Sequence, residues 1–392
     1  MSHALPIAPL RRGACPSLDM PMQTGDGLLA RIRVAGGQID PVRLEQLAVL
    51  CGTHGNGIIE ITARGNLQVR GLTAATAPVF ADAVRDIVTV ETGLVVETPP
   101  LAGDDPLEFV DPRPLAASIK ALAAPFAHRL GPKVAVIVDG NGQIGLGALR
   151  ADLRLVAVGA EVWLVSVGAT LMGTTRRPLD CARIVLTALA GLGPLGRATD
   201  LAPDGLDLGD LISPSAPVRQ PVSSPVGQFP LRRGKAIGLG LPFGAMGWES
   251  MAALADGAWR FGISAFRPGP HHSLLAIGAD GNLLAEAAEI GFVTHPHDPR
   301  TRISACIGSD GCASGHIAAR AVASRLAPGL APGSSLHVSG CQKGCAHPGP
   351  ADVTLIGRAD GYGLVIDGRA GDTPRAVLRA DQLETALLAA QG

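Results

Sequence analysis

Four cysteines crowd the last quarter of this 392-residue chain, and their spacing is the first sign of chemistry. Cys306 and Cys312 stand in CIGSDGC, Cys341 and Cys345 in GCQKGC; together they give Cys-x5-Cys, a gap of 28 residues, then Cys-x3-Cys. Four thiolates suit a [4Fe–4S] cluster or a structural zinc ion. Zinc ribbons favour Cys-x2-Cys knuckles, which neither pair supplies, so the spacing favours the cluster. Gly308, Gly311, Gly340 and Gly344 let the backbone turn tightly and bring N–H groups toward sulfur. The stretch ASGHIAARAVASRLA after Cys312 reads as a helix whose positive N-terminal end faces an anionic cluster. The other cysteines stand alone. Cys51 and Cys181 belong to apolar helical patterns and read as core, and Cys15 is a further free thiol.

The elements that must position these residues are legible as a repeat. GDGLLARIRV, DPVRLEQLAVLCGTHG and GIIEITARGNLQVRGL read as strand, helix and a strand pair, with Leu44, Leu47, Ala48 and Cys51 on one helix face. GKAIGLGLPFG, WESMAALADGAWRFG and ISAFRPGPHHSLLAIG repeat the order, with Met251, Leu254, Ala255 and Ala258 on the matching face. Each passage carries an arginine after an I-x-x strand, Arg64 and Arg267. This predicts a duplicated α+β unit over 20–98 and 231–297. Between them, GPKVAVIVDGNG, LRLVAVGA and EVWLVSVG predict an α/β domain over 110–210, with helices near 113–128 and 179–192. A proline- and serine-rich linker follows at 211–230, and the cysteine-bearing domain occupies 298–392.

Composition narrows the function classes. A formal charge of −1 argues against a nucleic-acid binder working by bulk attraction, so an anionic ligand must be held by local arginines and lysines. The first twenty residues lack the apolar run of a signal peptide. Glu161 and two glycines break the most membrane-like stretch, 153–173, into two strands. A cytoplasmic protein is expected, where clustered cysteines hold metal more often than disulfides.

The run from CIGSDGC through GCQKGCAHPGPADVTLIGRADGYGLVIDGRAGD resembles the iron–sulfur segment of the sulfite and nitrite reductase superfamily. With the paired α+β repeats, the resemblance covers nearly the whole chain. It implies two ferredoxin-like half-domains, an intervening α/β domain and a C-terminal iron–sulfur domain. It also implies that Cys306, Cys312, Cys341 and Cys345 bind [4Fe–4S], the last being the cysteine that bridges to sirohaem iron in those enzymes. TARGNLQVRG is similar to the strand presenting an arginine to the bound anion, which implies that role for Arg64, with Gln68 and Arg70 beside it. LGPKVAVIVDG is similar to the strand gripping sirohaem carboxylates; it keeps Lys133, while Ala135 stands where a second lysine is usual.

The opening RRGACPSLDMPMQTGDGLLARIR, taken with GCQKGCAHP, resembles the branch of the superfamily that acts in aerobic cobalamin synthesis. That branch hydroxylates a meso carbon of precorrin-3A and closes a γ-lactone from a ring acetate. The resemblance implies O2 as co-substrate, an iron centre beyond the cluster and NADH as the formal electron source. Such a substrate carries many carboxylates, which arginine forks and lysines match. Arg31, Arg64, Gln68, Arg70, Lys133, Arg176, Arg177 and Arg267 are the expected binding residues, with Arg64 and His347 at the chemistry. His295 and His297 are further ligand candidates for the second iron. No G-x-G-x-x-G follows a strand and opens a helix, so electrons are expected from a separate reductase or ferredoxin. Two alternatives stay open: a short sirohaem-dependent sulfite or nitrite reductase, and a non-catalytic iron–sulfur electron-transfer or binding protein.

Overall fold

The computed structural model describes residues 15–201, 205–216 and 224–391. The absence of a leader was read on residues that lie mostly outside these, as does the middle of the expected linker. The first unit runs β1 (Met22–Thr24), β2 (Gly27–Ile32), α1 (Pro41–His54), β3 (Ile58–Ile61), β4 (Leu67–Leu72) and α2 (Thr76–Ile87). Asp40 starts α1 by accepting from the Arg43 N–H, and Pro41 is pre-set for the first turn. Leu44, Leu47, Ala48 and Cys51 are buried on it, the face that the spacing predicts.

A middle unit follows, with β5 (Val95–Glu97), α3 (Arg113–Ala123), β6 (Ala135–Asp139), β7 (Leu153–Ala157), β8 (Trp163–Val167), β9 (Thr170–Thr175) and α4 (Pro178–Gly191). Its five strands lie in chain order, β5 to β7 parallel and β7 to β9 antiparallel. The third unit has β10 (Gly227–Pro230), β11 (Lys235–Gly240), β12 (Ala245–Gly247), α5 (Trp248–Asp256), β13 (Ala265–Gly269), β14 (Ser273–Ile277) and α6 (Leu283–Glu289). Residues 227–230, expected as linker, are therefore an edge strand. Pro230 ends it, a position that an edge tolerates.

The first and third units are copies. Their sheets run β1-β2-β4-β3 and β10-β11-β14-β13, the same order of first, second, fourth and third strand. They join as one body: β12 pairs antiparallel with β3, Ile39 and Phe266 exchange backbone hydrogen bonds, and α1 packs on α5 over one shared core. The outer faces of the two sheets differ. In the first unit the cross-strand row is Arg31, Gln68 and Glu60, in register on β2, β4 and β3. In the third it is Gly238, Leu275 and Arg267. There Leu101 and Ile144 cover the apolar face, packing on Ala236, Leu275 and Ile277. The first face stays polar and open.

The last unit has β15 (Ile303–Ala305), α7 (Ala319–Leu326), β16 (Leu336–Ser339), β17 (Ala351–Arg358), β18 (Gly361–Gly368), β19 (Ala376–Leu378) and α8 (Leu383–Ala390). β15, β16 and β17 are parallel and the rest antiparallel. The helix expected directly after Cys312 begins only at Ala319. Residues between are spent on the cysteine loop itself, where the Ser309 N–H donates to Ile317 O and the His316 N–H to Gly340 O. Phe266 is fully buried at the junction of the two copies. Phe266→Ala is expected to cost about 3–5 kcal/mol, read as a lowered urea midpoint for loss of the helical signal.

Candidate active site

Cys306 and Cys341 each follow the C-terminal end of a parallel strand, β15 and β16, whose Ala305 and Val338 are in register. This is the edge where α/β sheets gather ligands. The Gly340 N–H donates to Cys306 Sγ at 3.0 Å. Gly308 sits at φ +66°, and a Cβ there would come 2.3 Å from Ile317 O. Only glycine lets the two cysteine loops close on each other. Lys343 ties them further, donating to Ser314 Oγ at 2.9 Å.

All four cysteines line one cleft of about 1300 Å³ between the paired half-domains and the last unit. Burial, and then Cys341, Cys306 and Cys312 beside it, push the Cys345 thiol up from its ordinary value. Four thiols sharing one wall cannot all ionise without a positive partner. Among the described residues no three His, Cys, Asp or Glu side chains converge closely enough to hold a single metal ion. Four thiols from two facing loops are the donor set that a [4Fe–4S] cluster takes, one cysteine per iron. The donor set fits [4Fe–4S].

The opposite wall is the polar row of the first half-domain. Arg31 Nε and Nη2 donate to Gln68 Oε1 at 2.8 and 2.6 Å, and Gln68 Nε2 donates to Glu60 at 3.0 Å. Arg70 is held by both oxygens of Asp26, at 2.8 and 2.7 Å, and approaches Glu60 at 3.5 Å. Arg320 reaches in from α7 and donates to Glu60 at 2.8 Å. The row thus sets three guanidiniums against two carboxylates, leaving one positive charge. It resides on Arg31, whose hydrogen-bond partner here is a neutral amide. Burial lowers the pKa of Arg31 from its ordinary value.

The remaining expected binding residues do not reach this cleft. Arg64 lines a smaller cavity of about 300 Å³ with the middle unit, paired to Glu97 and the Arg150 carbonyl. Burial raises the Glu97 carboxyl. Arg267 is consumed by Asp104 at 2.7 Å, the Pro100 carbonyl and Gln38. Arg176 and Arg177 are exposed and pair with Glu161 and Asp180, and Lys133 is exposed ahead of β6. The middle unit supplies no lining residue to the large cleft, because residues 100–104 bring it against the third unit's sheet instead. His295 and His297 pack against each other at a tilt on a turn, and neither lines the cleft. His347 does line it. Cys51 and Cys181 are buried core, as expected.

Two histidines escaped sequence reasoning. His271 and His272, between β13 and β14, line the cleft with φ of +52° and +61°. Consecutive left-handed non-glycine residues are uncommon and collect at functional sites. His272 Nδ1 donates to Ile61 O at 2.6 Å, so in the neutral ring Nε2 carries the lone pair. Burial lowers the ring's pKa from its ordinary value. The adjacent HH pair in GPHHS was the available signal.

Paired half-domains, a cysteine-lined cleft and the strand orders above define a sulfite and nitrite reductase-like protein. Residues 20–87 match the model of the nitrite/sulfite reductase ferredoxin-like half domain. The solved structure of Mycobacterium tuberculosis NirA protein superposes with a TM-score of 0.67 at 20% identity, covering 91% of this chain and 79% of that one, a likeness of fold. A precorrin-3B synthase from Sinorhizobium sp is 38% identical over 97% of this chain and 88% of its own length. The chain belongs to the precorrin-3B synthase family, and it is an enzyme of the oxidoreductase class. Among the described residues no helix is long and apolar enough to cross a membrane.

Glu60 takes charge-assisted bonds from two units, and this is measurable. A double-mutant cycle of Glu60→Ala with Arg320→Ala should return a coupling of about 0.5–3 kcal/mol in unfolding free energy. The Glu60→Ala and Arg70→Ala pair, at 3.5 Å, should couple less.

Proposed function

We propose that this enzyme hydroxylates precorrin-3A with O2 and closes a γ-lactone on it. Cys306, Cys312, Cys341 and Cys345 would hold a [4Fe–4S] cluster, and the reaction would draw on one further iron. The observation that carries this reading is the pairing of walls in one cleft: four thiols on one side, and on the other a guanidinium with no carboxylate partner among the described residues. At about 1300 Å³ the cleft exceeds a drug-sized pocket and has room for a macrocycle. When bound, the iron centres supply electron delivery and O2 activation.

The chain's own residues bind and orient. Arg31 takes a ring carboxylate in its free edge, steadied by Gln68, while Glu60 holds Gln68 in the amide orientation that accepts from Arg31. Lys343, on the cysteine wall and donating to Ser314 Oγ, takes a second carboxylate. His272 offers a hydrogen-bond acceptor to the macrocycle's ring N–H groups. Arg70 serves as support, since Asp26 already satisfies it. Arg64, Lys133, Arg176, Arg177 and Arg267 act outside the substrate cleft. The macrocycle is substrate here and not a resident sirohaem. Electrons originating from NADH enter through a separate reductase or ferredoxin, since no dinucleotide-binding glycine motif follows a strand.

Arg31→Ala should weaken precorrin-3A binding about 10- to 150-fold, the worth of a charge-assisted bond of roughly 1.5–3 kcal/mol. Anaerobic equilibrium titration measures this, with iron and sulfide content unchanged. Arg64→Ala should shift the same titration less than about threefold; the reverse ranking would move the substrate to the smaller cavity. Under ¹⁸O2 with an electron donor, one labelled oxygen should appear in the product's new hydroxyl group. Label arriving only from water, or equal turnover without O2, would defeat the monooxygenase reading. A purified protein that carries sirohaem and reduces sulfite or nitrite efficiently would place it with the reductases instead.

A further inference from the structure

The smaller cavity, of about 300 Å³, is walled off from the large cleft. Arg64 and Pro270 pair as an antiparallel bridge, and beside it the His271 N–H donates to Ala63 O. Ala63 and His271 line the large cleft, Arg64 and Pro270 the small cavity, and among the described residues none lines both. An occupant of the small cavity is therefore separate from a macrocycle beside the cysteines.

Its charges do not balance. Arg33, Arg64, Arg113 and Lys120 line it against two carboxylates, Glu91 and Glu97. Lys120 pairs with Glu91, Arg64 pairs with Glu97, and Arg113 is taken at 2.8 Å by Asp111, which is not part of the lining. Arg33 is left over. Its Nη2 donates to the backbone carbonyls of Glu91 and Gly93, at 3.3 and 3.1 Å. Its Nη1 is buried and has no hydrogen-bond partner among the described residues. Glu97 also feels the charge of Arg33, yet its hydrogen bond goes to Arg64. Carbonyls and water can satisfy an N–H group, but they do not neutralise a charge, and charges withdrawn from water are normally paired. The position calls for an anion.

Size and walls restrict which anion. The volume is at the low end for small-molecule sites, so the occupant has few carbons. Val95, Ala116, Leu146 and Pro268 give the cavity apolar walls, which an inorganic oxyanion has no apolar surface to bury against. A carboxylate matches the edge of a guanidinium with two parallel hydrogen bonds. The cavity is open beside Gly36 and Gly37, where an added Cβ would meet nothing within 4 Å.

We propose that this cavity binds a small free organic acid, its carboxylate on Arg33 and its short chain against the apolar walls. The site goes beyond the reaction proposed above, and its failure would leave that function standing.

Sodium butyrate is the probe, titrated calorimetrically at low ionic strength into the full-length protein purified anaerobically. One saturable site per chain is expected. Arg33→Gln should weaken it at least about tenfold, the loss of a charge-assisted pair. Arg31→Ala, in the other cleft, should change it less than about twofold. Inorganic phosphate should bind at least about tenfold more weakly than butyrate, having no chain to bury. Ala117→Phe, at an exposed position of the lining, should fill the cavity and abolish binding, and it serves where Arg33→Gln does not fold. Failure of butyrate to saturate, affinity unchanged in either folded variant, or phosphate binding as tightly as butyrate would overturn the site. Butyrate affinity unaltered by saturating precorrin-3A supports a free acid as the occupant. Displacement of butyrate one for one by precorrin-3A would assign the cavity to an arm of the macrocycle and overturn the proposal.

Discussion

Glu60 is the carboxylate on which the cleft depends. A carboxylate only accepts, and its lone pairs can take several donors at once. Here they take Gln68 from its own sheet, Arg70 beside it and Arg320 from the cysteine-bearing unit. The group is mostly withdrawn from water, with Glu60 and Arg70 side chains 14% and 13% exposed. Removing one member of such a set strands the others, which is more costly than the set itself is stabilising. The arrangement therefore works less as glue than as a jig. It fixes how the last unit docks on the first, and it turns Gln68 so that Arg31 is left with a neutral partner and a usable charge.

The duplicated fold makes this possible because the two copies have diverged on one face only. Inward, both sheets present apolar residues to α1 and α5 and share a core. Outward, Arg31, Gln68 and Glu60 in one copy correspond to Gly238, Leu275 and Arg267 in the other. The apolar copy is buried by the middle unit, and Arg267 survives there by pairing with Asp104. The polar copy would be costly to bury, so it becomes the wall of a cleft. One sheet is spent on assembly, which frees its twin for recognition.

This divergence also explains what the sequence could and could not show. The cysteine spacing, the repeat and the helix faces depend on neighbours a few residues away, and they were readable. Arg64 and Arg267 looked equivalent because each follows an I-x-x strand, yet their surroundings come from distant segments: Glu97 and Arg150 for one, Pro100 and Asp104 for the other. Arg31 and Gln68 were found, but not the pairing that separates Arg31 from Arg70. That distinction lies in Asp26, brought to Arg70 by the turn between β1 and β2. The middle unit was expected to wall the cleft, because its strands resemble a carboxylate-gripping element. Its docking side was set by Leu101 and Ile144, which carry no local signal of what they cover.

The same β1–β2 turn brings the two walls of the cleft together. A Cβ on Gly25 would lie 2.7 Å from Cys312 Sγ and 2.8 Å from the Ala313 nitrogen, so only glycine lets the first half-domain approach the cysteine loop this closely. The next residue, Asp26, is the one that occupies Arg70. One short turn thus does two jobs: it seats the cysteine loop against the sheet and neutralises Arg70. The uncompensated charge is then left at Arg31, one strand over and inside the cleft. On the function proposed above, a polyanionic macrocycle drawn to Arg31 would be held across from the cysteine loops. It would then lie against the cysteine wall and away from the sealed ion pairs that hold the units together.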